Sequence, residues 1–326
     1  TQMGNQGGSN PLLKMVQNWV DSGKIGKISE VKVWTNRPVW PQGVKMPESD
    51  SSLKPKSLDW NLWLGPASFK EYTPNIHPFN WRGWWEYGTG ALGDVGCHLI
   101  DIPFRTLGLK YPKSAECSVG SVFTKMWNPD YYPEGCPPSS LITLNFDGTE
   151  KSKSPIVMTW TDGGIRPPHP DIIPANSDIG GEDSLNGVLM IGDKGIISTN
   201  INDSSPLMPK LYLYNGETEF GPEFEEMLEP EYGHQRKWVD ACKAGFNSKE
   251  HLELTSSFDY AGPMTETVLM GNLAIRSYML RKEKSSGGYD YYARKKLLWD
   301  GENMKITNIE AANQYVTRNY REGWKI

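Results

Sequence analysis

Asp94, His98 and Asp101 are spaced i, i+4, i+7 in a segment that reads as a helix, so an acid, an imidazole and a second acid share one face. Such a face suits proton transfer. A carboxylate one turn before a histidine can hydrogen-bond the imidazole and raise its basicity, and a positioned histidine is the commonest general acid–base group. The same spacing also fits a histidine satisfied in the core, with Asp94 capping the helix start. Spacing alone leaves both readings open. A further alternative makes Asp94, His98 and Asp101 ligands of Mn, Fe or Zn, with His77, His169, Asp162 or Glu182 as the fourth.

Just upstream lie Trp81, Arg82, Trp84, Trp85 and Tyr87, followed by Gly88, Gly90 and Gly93. The aromatics suit a wall for a flat ligand such as a sugar. The glycines match G-x-G-x-x-G, but a dinucleotide fingerprint needs a buried strand before it and an acid about 20 residues after it. Here a Trp/Arg/Glu-rich segment precedes it, and Gly108-Leu109-Lys110 stands at the later position. The glycines read instead as steric, letting backbone and ligand approach the helix start. Arg37, Arg82, Arg166 and His169 all sit near Pro or Gly and are candidates to bind a polyol or a carboxylate.

Composition narrows the field. The 326 residues carry 39 acids against 34 bases, a net charge of −5, which argues against nucleic acid or an anionic membrane as main partner. No apolar run approaches the ~20 residues of a membrane span. Cys97, Cys117, Cys136 and Cys242 include no CxxC pair and fit no zinc spacing. The motifs of serine hydrolases, zincins and P-loop enzymes are absent.

Those residues must be positioned by the elements around them. A helix is expected from Asn10-Pro11 to Gly23, and a strand over 28–35. Residues 58–69 suit a helical turn or two, and 92–107 one continuous helix. Strands follow at 114–125, 139–146, 156–162, 187–191, 195–199 and 211–214, separated by Asp147-Gly148, Asp193-Lys194-Gly195 and Asn215-Gly216. Residues 162–181 form a polar, proline-rich loop. Helices are expected over 231–244, with Trp238, Val239 and Ala241 inward, over 263–280 and over 309–320, with a short strand at 298–300. The fold class is α+β: a large, mostly antiparallel, open-faced sheet with helices on one face.

The run G-A-L-G-D-V-G-C-H-L-I-D at 90–101 resembles the signature of the glucose–fructose oxidoreductase / inositol dehydrogenase / MocA family. TQMGNQG at the start resembles the end of that family's nucleotide-binding domain and its crossover, and SLDWNLWLGP, HPFNWRGWWEYGTGALGD, FDYAGPMTETVLMGNLAIR and the closing NYREGW resemble its sugar-processing branch, so the resemblance covers nearly the whole chain. It implies an enzyme that moves hydride at a sugar or polyol carbon with NAD or NADP. Asp94 and His98 match the family's D-x-x-x-H pair, His98 taking the substrate proton and Asp94 orienting it or touching the sugar. Asn5 and Gln6 would line the substrate or nicotinamide site.

The resemblance further implies that residues 1–8 end the crossover from a nucleotide-binding domain and that 9–326 form one substrate, catalytic and oligomerisation domain. The family's Glu-Lys-Pro lysine and its true glycine fingerprint have no counterpart here; a missing Rossmann domain would exceed ~100 residues. Two other outcomes are carried forward: a redox- or metal-assisted glycoside lyase or glycosidase, and a non-catalytic carbohydrate-binding domain. A homo-oligomer through the free sheet face is expected.

Overall fold

Alternating apolar segments gather into one ten-stranded sheet, and the apolar stripes of four helices close one of its faces. A computed structural model describes residues 1–202, 205–221 and 233–324. The strands are β1 (Ile28–Trp34), β2 (Ser114–Val119), β3 (Ser140–Phe146), β4 (Ile156–Thr161), β5 (Gly187–Gly192), β6 (Gly195–Asn202), β7 (Ser205–Leu213), β8 (Thr218–Phe220), β9 (Lys282–Glu283), β10 (Tyr289–Asp290), β11 (Leu297–Asp300) and β12 (Lys305–Ile306). The sheet order is β12-β11-β2-β3-β4-β1-β5-β6-β7-β8, and β9 and β10 form a separate ribbon. Every neighbouring pair in the sheet is antiparallel except β1 with β4. The mixed α/β architecture with a large, mostly antiparallel sheet is the one expected.

The helices are α1 (Leu12–Asp21), α2 (Trp60–Leu64), α3 (Gly90–Leu99), α4 (Asp101–Leu107), α5 (His234–Ala244), α6 (Lys249–Leu252) and α7 (Phe258–Tyr278). α1, α3, α4 and α7 lie on the sheet. Strand residues one apart point to opposite faces, so Val31, Val33, Ile142, Leu144, Met158, Trp160, Val188 and Met190 face those helices in the main core. On the other face Trp34, Leu189, Ile196 and Tyr212 form a second cluster with Ile173 and Ile179 of the long loop. Among the described residues that face therefore carries no helix, but it is half covered. Toward β3 and β4 it stays open, with Leu141 and Val157 each 42% exposed.

Several local expectations need correction. The helix over 92–107 is two helices, because Pro103 offers no N–H to the Leu99 carbonyl. Residues 120–125 leave the sheet, since β2 ends at Val119. α7 starts at Phe258 and keeps Pro263 inside it. Residues 309–320 give only a 3-10 turn, Glu310–Tyr315. In α5 the inward residues are His234 and Ala241, while Trp238 is 45% exposed; positions 231 and 232 lie outside the described residues. In the N-terminal segment, Gln6–Ser9 is a 3-10 turn. His234 holds it down, with Nε2 2.8 Å from the Met3 carbonyl and Nδ1 2.8 Å from Ser9 Oγ.

Asp162 fastens β3 to the end of β4. Its Oδ2 accepts from Trp160 Nε1 at 2.9 Å and from Ser140 Oγ at 2.8 Å. Burial nevertheless raises its pKa from 3.8 to about 6. The folded state thus holds the proton more tightly than the unfolded chain, so this contribution to stability is complete below the unfolded value and fades as pH rises through about 6. Urea titrations should show stability falling by about 3 kcal/mol across that window in the wild type. The slope should flatten in Asp162→Asn, whatever its absolute stability.

Candidate active site

α3 starts at a glycine because its first residue has φ +65°, and a Cβ on Gly90 would also stand 3.0 Å from Cys136 Sγ. Asp94 and His98 follow on one face of this helix, both half-buried. Ahead of them, the turn Asn80–Gly83 carries Arg82. Arg82 Nε donates to Asp94 Oδ1 at 2.8 Å, and its Nη1 donates to the Phe79 carbonyl at 2.7 Å. The guanidinium lies over Phe79 (4.4 Å), Trp81 (4.7 Å) and Trp40 (5.8 Å). Planar stacking plus directed N–H groups is what arginine offers and lysine does not.

Asp101 plays a different part. It is 1% exposed, accepts from Arg105 Nη2 at 2.9 Å and is hydrogen-bonded by the Tyr260 hydroxyl. Burial raises its pKa; Arg105, the Tyr260 hydroxyl and His98 pull the other way. It ties α4 to α7 behind the site. The metal alternative therefore loses its geometry: Asp94 is turned to Arg82, Asp101 is inside the Arg105–Tyr260 cluster, and among the described residues no three His, Cys, Asp or Glu side chains converge on a cation position.

The aromatic segment divides. Trp81 and Tyr87 line a cleft of about 350 Å³ with Trp63, Glu86 and Arg318. Trp63 is stacked on Trp60, centroids 4.5 Å apart and planes 8° from parallel. The Tyr87 hydroxyl is buried without a partner among the described residues, and burial pushes its pKa up to about 12. Trp85 instead packs against the main core, with the Arg276 guanidinium 5.6 Å from its ring.

Other expected residues are placed apart. Arg37 leaves β1 with its Nη1 on Asn36 Oδ1 at 2.7 Å. Arg166 is exposed, and His169 is bound to the Pro170 and Ser177 carbonyls. Both belong to the loop that covers the helix-free face, across the sheet from Asp94. Asn5 is fully buried with both amide atoms unpartnered among the described residues, and Gln6 opens the turn that lies against α3 and α4. Trp63, Glu86 and Arg318 were missed. Trp63 stands inside the motif SLDWNLWLGP, while nothing local marks Arg318.

Gly88–Gly93 does not suit a nicotinamide dinucleotide. No strand leads into these glycines, and the one parallel strand pair among the described residues, β1 with β4, lies elsewhere.

Residues 10–116 match the model of the oxidoreductase family, C-terminal alpha/beta domain. No curated protein matches the chain in sequence. Among solved structures, an oxidoreductase from Sinorhizobium meliloti is similar with 11% identity and a TM-score of 0.45, over 89% of this chain and 64% of its own. An inositol dehydrogenase homolog from Azotobacter vinelandii, complexed with NADH and myo-inositol, has 14% identity and a TM-score of 0.36, over 85% and 55%. The WlbA dehydrogenase from Bordetella pertussis, in complex with NADH and UDP-GlcNAcA, has 11% identity and a TM-score of 0.42, over 82% and 59%. The chain thus spans less than two thirds of each.

If Arg82 holds the aromatic segment to α3, Arg82→Met should cost about 1–2 kcal/mol in a urea titration, the size of a charge-assisted hydrogen bond. Arg82→Lys should recover less than half of it.

Proposed function

We propose that the chain, whose residues 10–116 match the C-terminal alpha/beta domain of the oxidoreductase family, is the substrate-binding and catalytic half of an NAD(P)-dependent enzyme. Its substrate is the CH–OH group of a carbohydrate or polyol. The observation that carries this is Asp94, held by Arg82 at 2.8 Å and one helical turn from His98, with the Arg82 guanidinium 4.7 Å from the ring of Trp81, which lines the aromatic cleft. The Asp94 carboxylate accepts a hydrogen bond from a sugar hydroxyl. His98 takes the hydroxyl proton as the carbinol carbon is oxidised and returns it in the reverse direction. Trp63, Trp81 and Tyr87 offer the apolar faces that sugar rings stack on, and Glu86 and Arg318 the polar edge.

The described residues do not cradle the dinucleotide, so its binding is assigned to a separate nucleotide-binding domain. Asn5 and Gln6 would meet that domain beside α3. The intact protein that carries this chain should oxidise members of a sugar and polyol panel with NAD or NADP. In it, His98→Gln should lower kcat by about 10²-fold or more with unchanged thermal unfolding. Full turnover in that variant sinks the reading.

The open half of the helix-free face suits a contact between two copies. Leu141 and Val157 stand exposed there among Glu30, Lys32, Thr143 and Thr159. Size-exclusion chromatography should report a homo-oligomer, and Leu141→Lys with Val157→Lys should reduce it to a monomer.

A further inference from the structure

A second cavity lies against α7, between it, the start of α3 and β11, and neither Asp94 nor His98 lines it. It has a volume of about 140 Å³, and its walls include Trp85, Thr89, Asn272, Leu273, Arg276 and Tyr315. Asn272 is 4% exposed, and neither its Oδ1 nor its Nδ2 has a partner among the described residues. Buried amides are nearly always satisfied, so an orphaned one lining a cavity marks an absent partner. Gly93 makes room for this arrangement. A Cβ there would overlap Thr89 Oγ1 at 1.8 Å and stand 3.5 Å from Asn272 Nδ2.

Arg276 supplies the charge. It is half-buried, and among the described residues no carboxylate pairs with it. Its guanidinium lies 4.1 Å from the Tyr315 ring centroid and 5.6 Å from that of Trp85, so its flat faces are occupied and its N–H edge is left for a ligand. Glu86, which acts on Arg276 electrostatically, is already taken by the Ser68 N–H at 2.6 Å and lies 3.7 Å from Arg318 Nη2. Glu266 also lines the cavity. It sits ten residues before Arg276 on α7, about 15 Å along the helix, and its Oε1 accepts from Trp299 Nε1 at 2.7 Å. It does not oppose an anion at Arg276.

We propose that this cavity binds a small carboxylate bearing a neighbouring hydroxyl. The carboxylate meets Arg276 and the hydroxyl meets the amide of Asn272. The two residues are i, i+4 on α7, with Cβ atoms about 5–6 Å apart, a separation that one short molecule spans. A dry cavity of ~150 Å³ holds benzene, so the ligand has about six heavy atoms. This site is independent of the proton chemistry at His98 and stands or falls without it.

Lactate is the probe. Followed by thermal unfolding and calorimetry on the full chain, sodium lactate should bind saturably and raise Tm, with sodium chloride at equal ionic strength as blank. Glycerol should not. Arg276→Gln and Asn272→Leu should each weaken binding by about tenfold or more, the effect of losing a hydrogen bond to a charged or buried group. Asn272→Leu should also unfold at a higher temperature than wild type without lactate, since it removes an unpaired buried amide. That variant keeps the test decisive if Arg276→Gln folds poorly. Absence of saturable binding, equal binding of glycerol, or unchanged affinity in Asn272→Leu overturns the proposal.

Discussion

The ion pair between Arg82 and Asp94 is the constraint on which the candidate site depends. The segment before α3 has little regular structure: a short 3-10 turn, an isolated bridge at Trp84, and loops. Arg82 gives it a fixed place by three means at once, the Asp94 carboxylate, the Phe79 carbonyl and three aromatic rings. The partly buried setting matters, because an exposed pair of the same geometry contributes little. Around it the sheet supplies rigidity. α3 rests on the sheet and on α7, so Asp94 and His98 ride on a packed element while the ring-bearing segment is clamped to them from above.

Much of this was legible in the sequence. Period-two alternation located β1, β3 and β4 almost to the residue, because each buries mainly one face, and β5, buried on both faces, was marked by its flanking turn signals. The shared face of Asp94 and His98 followed from helical spacing alone. What escaped were features set by distant partners. Arg166 and His169 looked like site residues because prolines and a histidine often mark functional loops. Ile173 and Ile179 of the same loop, however, bind the opposite face of the sheet, and no local signal tells which face a loop will cover. Trp85 and Trp81 are indistinguishable in the string, yet one packs into the core and the other lines a cleft.

Two tyrosines and two buried amides show a further limit. Tyr87 and Tyr260 are both buried, but Tyr260 bonds Asp101 while the Tyr87 hydroxyl bonds nothing described. Asn5 and Asn272 likewise read as ordinary polar positions, and inside the fold the amides of both have no hydrogen-bond partner among the described residues. Whether a polar side chain is satisfied depends on the three-dimensional neighbours it meets, and that information is carried by no window of sequence.

Pro103 splits what the spacing presents as one helix, and the split has a mechanical meaning. The Ile100 N–H still bonds Gly96, and the Phe104 N–H still bonds Ile100, each at 2.9 Å, but the Leu99 carbonyl has no N–H to receive four residues on. The ladder that carries Asp94 and His98 is therefore one link weaker where it meets the ladder that carries Asp101 and Arg105. α3 is held in place by its packing on the sheet and α7 rather than by that link, while the buried cluster on α4 is bonded to α7 through Asp101 and Tyr260.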